Sequence, residues 1–414
     1  MELTEMKNGN VLVITFWSFN DALVQTYTLP YVNMIRKILA GNQKIFIVTF
    51  EQPRVALSNE EIEKTNHELG KRNIRLVAFP YKRFGLKKLT AAVGHLFSMI
   101  SLIKKENIRV IHSFGPNAGS FGYLLSKITG KDLIIDSFEP HAEAMVENGT
   151  WKHNRGAHLI LSKFEKWQAK RAKHLIATSS GMYDYSIKTY GVTPKSFFVK
   201  PACVDTELFS PREKDPTLVD ELKLNDKIVC VYAGKIGGIY LKEEIFDFFK
   251  ECYLYWGDRF RCVMMTNASR EEIDKELKRV GLPENIVISK FVFHKEVPSY
   301  LSLGDFAINP VKPVPTKRYC TSIKDGEYWA MGIPVVITPG ISDDSDIIRQ
   351  NHIGAVLGSL DSTGYSTAVH EIDDLIKKNN RVEIQRSISV IAKKFRSFAI
   401  AEEIYRKIYS PSSL

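Results

Sequence analysis

Ser322-Ile-Lys-Asp-Gly-Glu-Tyr-Trp-Ala-Met-Gly-Ile-Pro-Val-Val-Ile-Thr-Pro-Gly340 reads as a helix, a stop, a strand and a turn in immediate succession. The helix is expected from about Ile323 to Met331. Gly332 ends it, in the left-handed conformation that costs glycine least. Pro334–Thr338 is a short apolar run of the kind that lies buried on both faces of a parallel sheet, and Pro339-Gly340 turns the chain. Ser322, Lys324, Asp325 and Glu327 sit on the first turns of the helix, where outward N–H groups favour an anion. Open α/β folds place ligands at such a helix start, beside the carboxyl end of the sheet. The same pattern also describes an ordinary helix–strand unit with a solvated start.

The chain has 414 residues, too many for one simple core and enough for two domains. A hydrophobic content of 44% with 25% charged residues is that of a globular protein and excludes a disordered or fibrous chain. The polar N-terminus lacks a signal-peptide pattern. No apolar run reaches the ~18–20 residues needed to span a bilayer, and the longest, Leu89–Ile103, contains His95. The five cysteines, Cys203, Cys230, Cys252, Cys262 and Cys320, are widely spaced and form no metal-ligand knuckle, which predicts reduced thiols and a cytoplasmic location. Net charge is +10, but residues 1–204 carry 28 Lys+Arg against 16 Asp+Glu, and residues 205–414 carry 29 against 31. The first half is therefore expected to meet something anionic, such as nucleic acid, a phosphate-bearing acceptor or a membrane surface.

Working outward from the opening stretch, strands are expected at 11–17, 44–50, 74–79, 109–113, 132–137 and 174–178, with helices between them, including 22–40, 87–105 and 158–173. The alternation restarts after residue 225, with strands at 227–233, 260–266, 286–289 and 306–309. Repeated βα units predict a parallel, doubly wound sheet in each half. The proline-bearing join at 200–225 separates them.

Several residues in these loops have the chemistry to bind a ligand. In Gly234-Lys-Ile-Gly-Gly-Ile-Tyr-Leu-Lys242, glycines let the backbone approach a ligand. The Lys235 and Lys242 ammonium groups there suit a diphosphate. The loop has neither the G-K-[ST] ending of a P-loop nor a G-x-G-x-x-G fingerprint. Asp136-Ser-Phe-Glu-Pro-His-Ala-Glu143 leaves the carboxyl end of a strand, a site position. Ser18, Asn20 and Asp21 after the first strand suit a sugar or diphosphate, or else a helix cap. Asp343-Asp-Ser-Asp346 reads as a solvated acidic loop rather than a metal site. Its flanking backbone N–H groups would be available to donor phosphates. Tyr81–Lys88 and Lys152–Lys173 set basic residues beside aromatic ones, which suits an anionic membrane surface, although 89–103 reads equally as a core helix with charged ends.

Five segments, in order, resemble the family-4-type glycosyltransferases of GT-B fold. They are Glu165…Arg171-Ala-Lys-His-Leu-Ile-Ala-Thr-Ser179, Lys200-Pro-Ala-Cys-Val-Asp-Thr-Glu-Leu-Phe-Ser-Pro211, Tyr232-Ala-Gly-Lys235, Glu327-Tyr-Trp-Ala-Met-Gly-Ile-Pro-Val-Val336 and Phe398…Tyr405-x-x-Ile-Tyr409. The resemblance implies two doubly wound Rossmann-like domains facing across a cleft. The acceptor-side domain would be 1–204, completed by a crossover helix at about 396–414. The nucleotide-sugar donor domain would be 205–395.

The activity so implied is a retaining glycosyltransferase moving a sugar from a nucleotide-diphosphate donor to a glycan or lipid-linked acceptor, in cell-surface polysaccharide or glycolipid synthesis. No metal, other cofactor or nucleic acid would be involved. The enzyme would be cytoplasmic, and peripheral to the membrane if the basic half binds it. By the same resemblance Lys235 and Lys242 would stabilise the departing diphosphate, with Gly234 and Gly237 in the same loop of the donor site, and Ser322 and Lys324 at the helix start would stand in for the family's first glutamate, one as a hydrogen-bond donor and one as a charge. Glu327 would read the ribose, and Phe293 and His294 the base. His141, or alternatively Glu139, would face the reacting sugar. Trp151, with Glu147 and His153, would line the acceptor side together with Ser18 and Asn20. Tyr319 stands where the family keeps a first glutamate. Two alternatives are a nucleotide-sugar epimerase of the same fold, active without acceptor, and a non-enzymatic sugar- or anion-binding module.

Overall fold

The computed structural model describes residues 9–53, 55–81 and 86–409, and for 86–89 the backbone only. Of the basic run Tyr81–Lys88, residues 82–85 lie outside the described residues, as do 1–8 and 410–414. The chain divides into two compact units, Met1–Lys200 with Ala399–Leu414, and Pro201–Phe398.

The first unit holds a seven-stranded sheet in the order β3-β2-β1-β4-β5-β6-β7. Its strands are β1 Asn10–Ile14, β2 Ile45–Glu51, β3 Ile74–Pro80, β4 Ile108–Phe114, β5 Asp132–Phe138, β6 His174–Ala177 and β7 Phe197–Val199. The second holds six, in the order β10-β9-β8-β11-β12-β13: β8 Ile228–Ala233, β9 Phe260–Met265, β10 Val287–Lys290, β11 Phe306–Asn309, β12 Val335–Ile337 and β13 Gly354–Val356. Every pairing is parallel. The order reverses between β1 and β4 and again between β8 and β11, which makes those carboxyl ends the natural ligand positions. In β8, Val229 and Val231 pack into one apolar cluster while Cys230 and Tyr232 pack into another on the opposite face. That two-sided burial is why the strand sequences run apolar without alternation.

Two local expectations change. The helix expected over 22–40 starts at Ala22, widens into a π-turn at Val24–Thr28 and then runs α-helical over Leu29–Ile38. Pro30 has no N–H to give the preceding turn, so the wider turn takes up the break. The opening helix runs Ile323–Ala330. Gly332 has φ +73°, and a Cβ there would lie 2.4 Å from the Gln385 Cα, so glycine is required by both conformation and space. Asp325, read from sequence as part of the polar start, is fully buried instead and takes the Asn309 amide on both oxygens at 2.8 Å. It shares the buried face of its helix with Trp329, one turn on. Asp344, read as part of a solvated loop, begins the helix Asp344–Asn351 and is buried against Arg396. Burial, with the Asp344 charge beside it, raises the Asp325 carboxyl well above the usual range.

Candidate active site

In the second unit the loop after β8 turns on three glycines with positive φ, Gly234, Gly237 and Gly238. Its far end is pinned to the chain leaving β11. Leu241 N–H donates to Pro310 O at 2.8 Å, and Lys312 N–H to Ile239 O at 3.0 Å. Gly234 is where the opening helix meets this loop, for a Cβ there would stand 2.4 Å from the Lys324 Cε and 3.0 Å from its Nζ. The Lys324 ammonium donates to the Tyr240 hydroxyl at 2.7 Å and lies 3.9 Å from the centre of that ring. Gly234 and Lys324 are thus brought together, with Lys235 exposed next to them and without a side-chain partner among the described residues.

Lys242 is placed differently. Its ammonium sits 2.6 Å from Glu272, and that hydrogen bond raises it above the ordinary lysine value. Ser322 stands at the N-cap of the opening helix without a side-chain cap hydrogen bond, and its N–H helps to stabilise the Asp344 carboxylate. Glu327 is mostly buried, with the His294 imidazole 3.5 Å from it. The Glu327 hydrogen bond raises His294 above its usual value. Phe291 and Phe293 are 63% and 64% exposed and meet edge to face at 5.3 Å, so neither is core, and both are free to stack on a ring.

In the first unit His141 lies between two polar partners. Its Nδ1 is 2.9 Å from Glu139, and its Nε2 is 3.1 Å from the Asn117 amide. Asn117 donates to Nε2, so Nδ1 carries the proton and gives it to Glu139. Glu139 and His141, weighed from sequence as alternatives, therefore act as one pair. Beneath them the buried Glu165 accepts the Ala142 N–H at 2.8 Å and the Tyr190 hydroxyl at 2.9 Å. Burial raises its carboxyl to about 7.

The strand leading to this pair ends in a closed ionic cage. Asp136 and Lys200, both 0% exposed, pair at 3.2 Å. The Lys200 ammonium is 3.4 Å from the Tyr31 ring centre. Asp136 accepts from the Tyr405 hydroxyl at 2.7 Å and from His112 Nε2 at 3.2 Å. Burial alone would raise Asp136, but Lys200 and these donors outweigh it and hold the carboxyl at about 2. Ser137 follows with φ +55°, a strained value for a residue with a Cβ. Its hydroxyl is held by Tyr27 at 2.9 Å and Asp136 at 3.0 Å.

Other sequence candidates fall outside these clusters. Ser18 is fully buried. Its hydroxyl accepts the Gln52 N–H and donates to the Phe50 carbonyl, so it braces the loop and has no face for an acceptor. Asn20 is exposed, and Asp21 takes the capping role, accepting the Leu23 N–H at 2.9 Å. Trp151 is half-buried just past the helix His141–Glu147. Glu143, His153 and His158 bring their ligand atoms within 4.8 Å of one another. His158 Nδ1 already accepts the Asn154 N–H, so its Nε2 proton goes to Glu143 at 2.7 Å. Sequence reasoning left Tyr240, Asn117 and Glu272 without a role. Tyr240 and Lys324 are 84 residues apart, and no linear spacing signals that contact.

Residues 32–208 match the family model described as Glycosyltransferase Family 4. No curated protein matches the chain. Among solved structures it is similar to HepE of Anabaena in complex with UDP, at TM-score 0.70 and 15% identity over 98% of this chain and 100% of that one. It is similar to sucrose-phosphate synthase from Thermosynechococcus elongatus, at 0.69 and 13% over 97% and 100%. A glycosyltransferase from Rickettsia africae is similar at 0.69 and 15% over 97% and 99%. At these identities the likeness is one of fold, that of GT-B proteins with two Rossmann-like units.

Proposed function

We propose that this chain, whose residues 32–208 match the Glycosyltransferase Family 4 model, transfers a sugar from a nucleotide-diphosphate donor to a glycan or lipid-linked acceptor with retention at the anomeric carbon. The observation that supports the donor reading best is the Lys324 ammonium held against Gly234 at the β8/β11 reversal, with the mostly buried Glu327 three residues further along the same helix. Lys235 and Lys324 would neutralise the diphosphate and Glu327 would take the ribose diol. Lys242 joins them only if Glu272 releases it. The sugar–phosphate C–O bond breaks as the acceptor oxygen bonds to the same face of the anomeric carbon. The acceptor proton goes to the departing phosphate, with the charge on that phosphate stabilised by the lysines. Glu139 and His141 would face the reacting sugar. The pathway we propose is cell-surface polysaccharide or glycolipid synthesis, without a bound metal.

A thermal-shift series with UDP, GDP and ADP tests the donor reading, because a ligand bound only by the folded state raises the melting temperature. One diphosphate should stabilise the chain. Lys235→Ala and Glu327→Ala should each weaken its binding by about tenfold, the loss of one charged hydrogen bond. Folded protein that responds to none of the three diphosphates would remove the donor site from this face.

Among the described residues no helix is long and apolar enough to cross a membrane. The helix Gly156–Arg171 nevertheless exposes Leu159, Ile160 and Trp167 beside exposed Lys163, Lys166 and Lys170. We propose that this face meets an anionic membrane carrying the acceptor. Cosedimentation should be strong with vesicles containing phosphatidylglycerol and weak with phosphatidylcholine alone. Changing the three lysines to glutamine should reduce it severalfold, and equal binding to both vesicles would count against the membrane face.

A further inference from the structure

Tyr240 is a fixed point of the loop after β8. Its N–H donates to Gly237 O at 3.1 Å, and its backbone bridges Val311 beyond β11, so the backbone that carries the phenol is held on both sides of the loop. Its oxygen accepts one Lys324 N–H. A phenol has one hydrogen of its own, and among the described residues that hydrogen has no acceptor. An ammonium has three donors, and only one of Lys324's is taken. Lys324 touches no carboxylate among the described residues, in contrast to Lys242 with Glu272. The pair therefore presents an uncompensated positive charge and an unused O–H at the same point, against a glycine whose missing side chain makes room for the Lys324 chain. An ammonium donating into the phenol oxygen also polarises the O–H into a better donor. These features suit a phosphate oxygen better than a neutral sugar hydroxyl.

Resting on the donor reading above, we infer that the Tyr240 hydroxyl donates a hydrogen bond to the diphosphate of the donor and holds the Lys324 ammonium on that same group, in the donor complex and in the departing nucleoside diphosphate alike.

The test compares wild type with Tyr240→Phe and Lys324→Met, each titrated with UDP, GDP and ADP and with the matching nucleosides by ligand-observed NMR, which reaches weak affinities. Tyr240→Phe keeps the ring under the ammonium and removes only the hydroxyl. It should weaken the bound diphosphate by about tenfold or more and leave the nucleoside unchanged. Lys324→Met should weaken the diphosphate at least as much. Two results overturn the inference while the donor site stands: Tyr240→Phe binding like wild type while Lys324→Met is impaired, or Tyr240→Phe losing nucleoside and diphosphate equally. Wild-type diphosphate binding in both variants would instead bring down the donor reading itself.

Discussion

Lys200→Met should cost the first unit about 3–5 kcal/mol of stability, the penalty for leaving one member of a buried ion pair without its partner. Asp136 and Lys200 are both 0% exposed, so no water replaces the lost ammonium. The methionine fills the aromatic space beside Tyr31 and Tyr27 but cannot compensate the carboxylate. The substitution also loosens the carboxylate that receives Tyr405, and with it the anchorage of the helix Phe398–Tyr409. The sign of the pH effect follows from Asp136 being held at about 2, below its ordinary value. Its contribution is present above the unfolded value of about 3.9 and is lost as pH falls through 2. In Lys200→Met that stabilisation should be missing at neutral pH. Urea unfolding followed by tryptophan fluorescence would measure it. A loss under about 1 kcal/mol, the range of an exposed pair, would mean that the cage is not what secures this unit. Lys200→Met combined with Asp136→Asn should recover part of the loss, since removing both charges removes the unpaired one.

Glu165 should make the first unit less stable as pH rises, the reverse of the usual carboxylate. Burial raises its folded value from 4.5 to about 7. Between those values the folded chain keeps a proton that the unfolded chain releases. Its stabilisation is fully present below about 4.5 and is lost as pH rises through 7. The full change is worth about 3 kcal/mol. Glutamine imitates the protonated acid. Its oxygen can keep the Ala142 N–H, so Glu165→Gln should remove most of this slope. Urea midpoints at about pH 5 and about pH 8.5 give the comparison. Parallel pH profiles for wild type and variant would show that Glu165 does not titrate in this interval. The consequence reaches the proposed chemistry, because Ala142 directly follows His141 and an ionising Glu165 would disturb the Glu139–His141–Asn117 alignment first.

Much of the architecture is legible in the residues. Apolar runs separated by helix-length stretches, with a proline-bearing join between two such series, specify parallel sheets because only strands covered on both faces lack alternation. Gly332 is legible as a helix stop because only glycine takes φ +73° cheaply. The split of the polar residues at Ser322–Glu327 is less visible. Lys324 and Glu327 lie three apart on a partly covered side, while Asp325 lies four before Trp329 on the side that packs inward. A reading of helical phase would have separated them, but residue type alone does not. Pro30 similarly carried the π-turn in plain view.

The sequence by itself therefore determined the strand order of events along the chain, the two sheets, the family resemblance and the loops in which a donor would be held. Those are properties of local propensity and of patterns between near neighbours. Tertiary structure alone decided which charges remain available. Lys242 is committed to Glu272, Lys324 stands on Tyr240, Ser18 is turned inward, and Lys200 is locked to Asp136. Each outcome depends on which distant group the fold brings within about 3 Å, where burial and a partner's charge dominate over a residue's intrinsic chemistry.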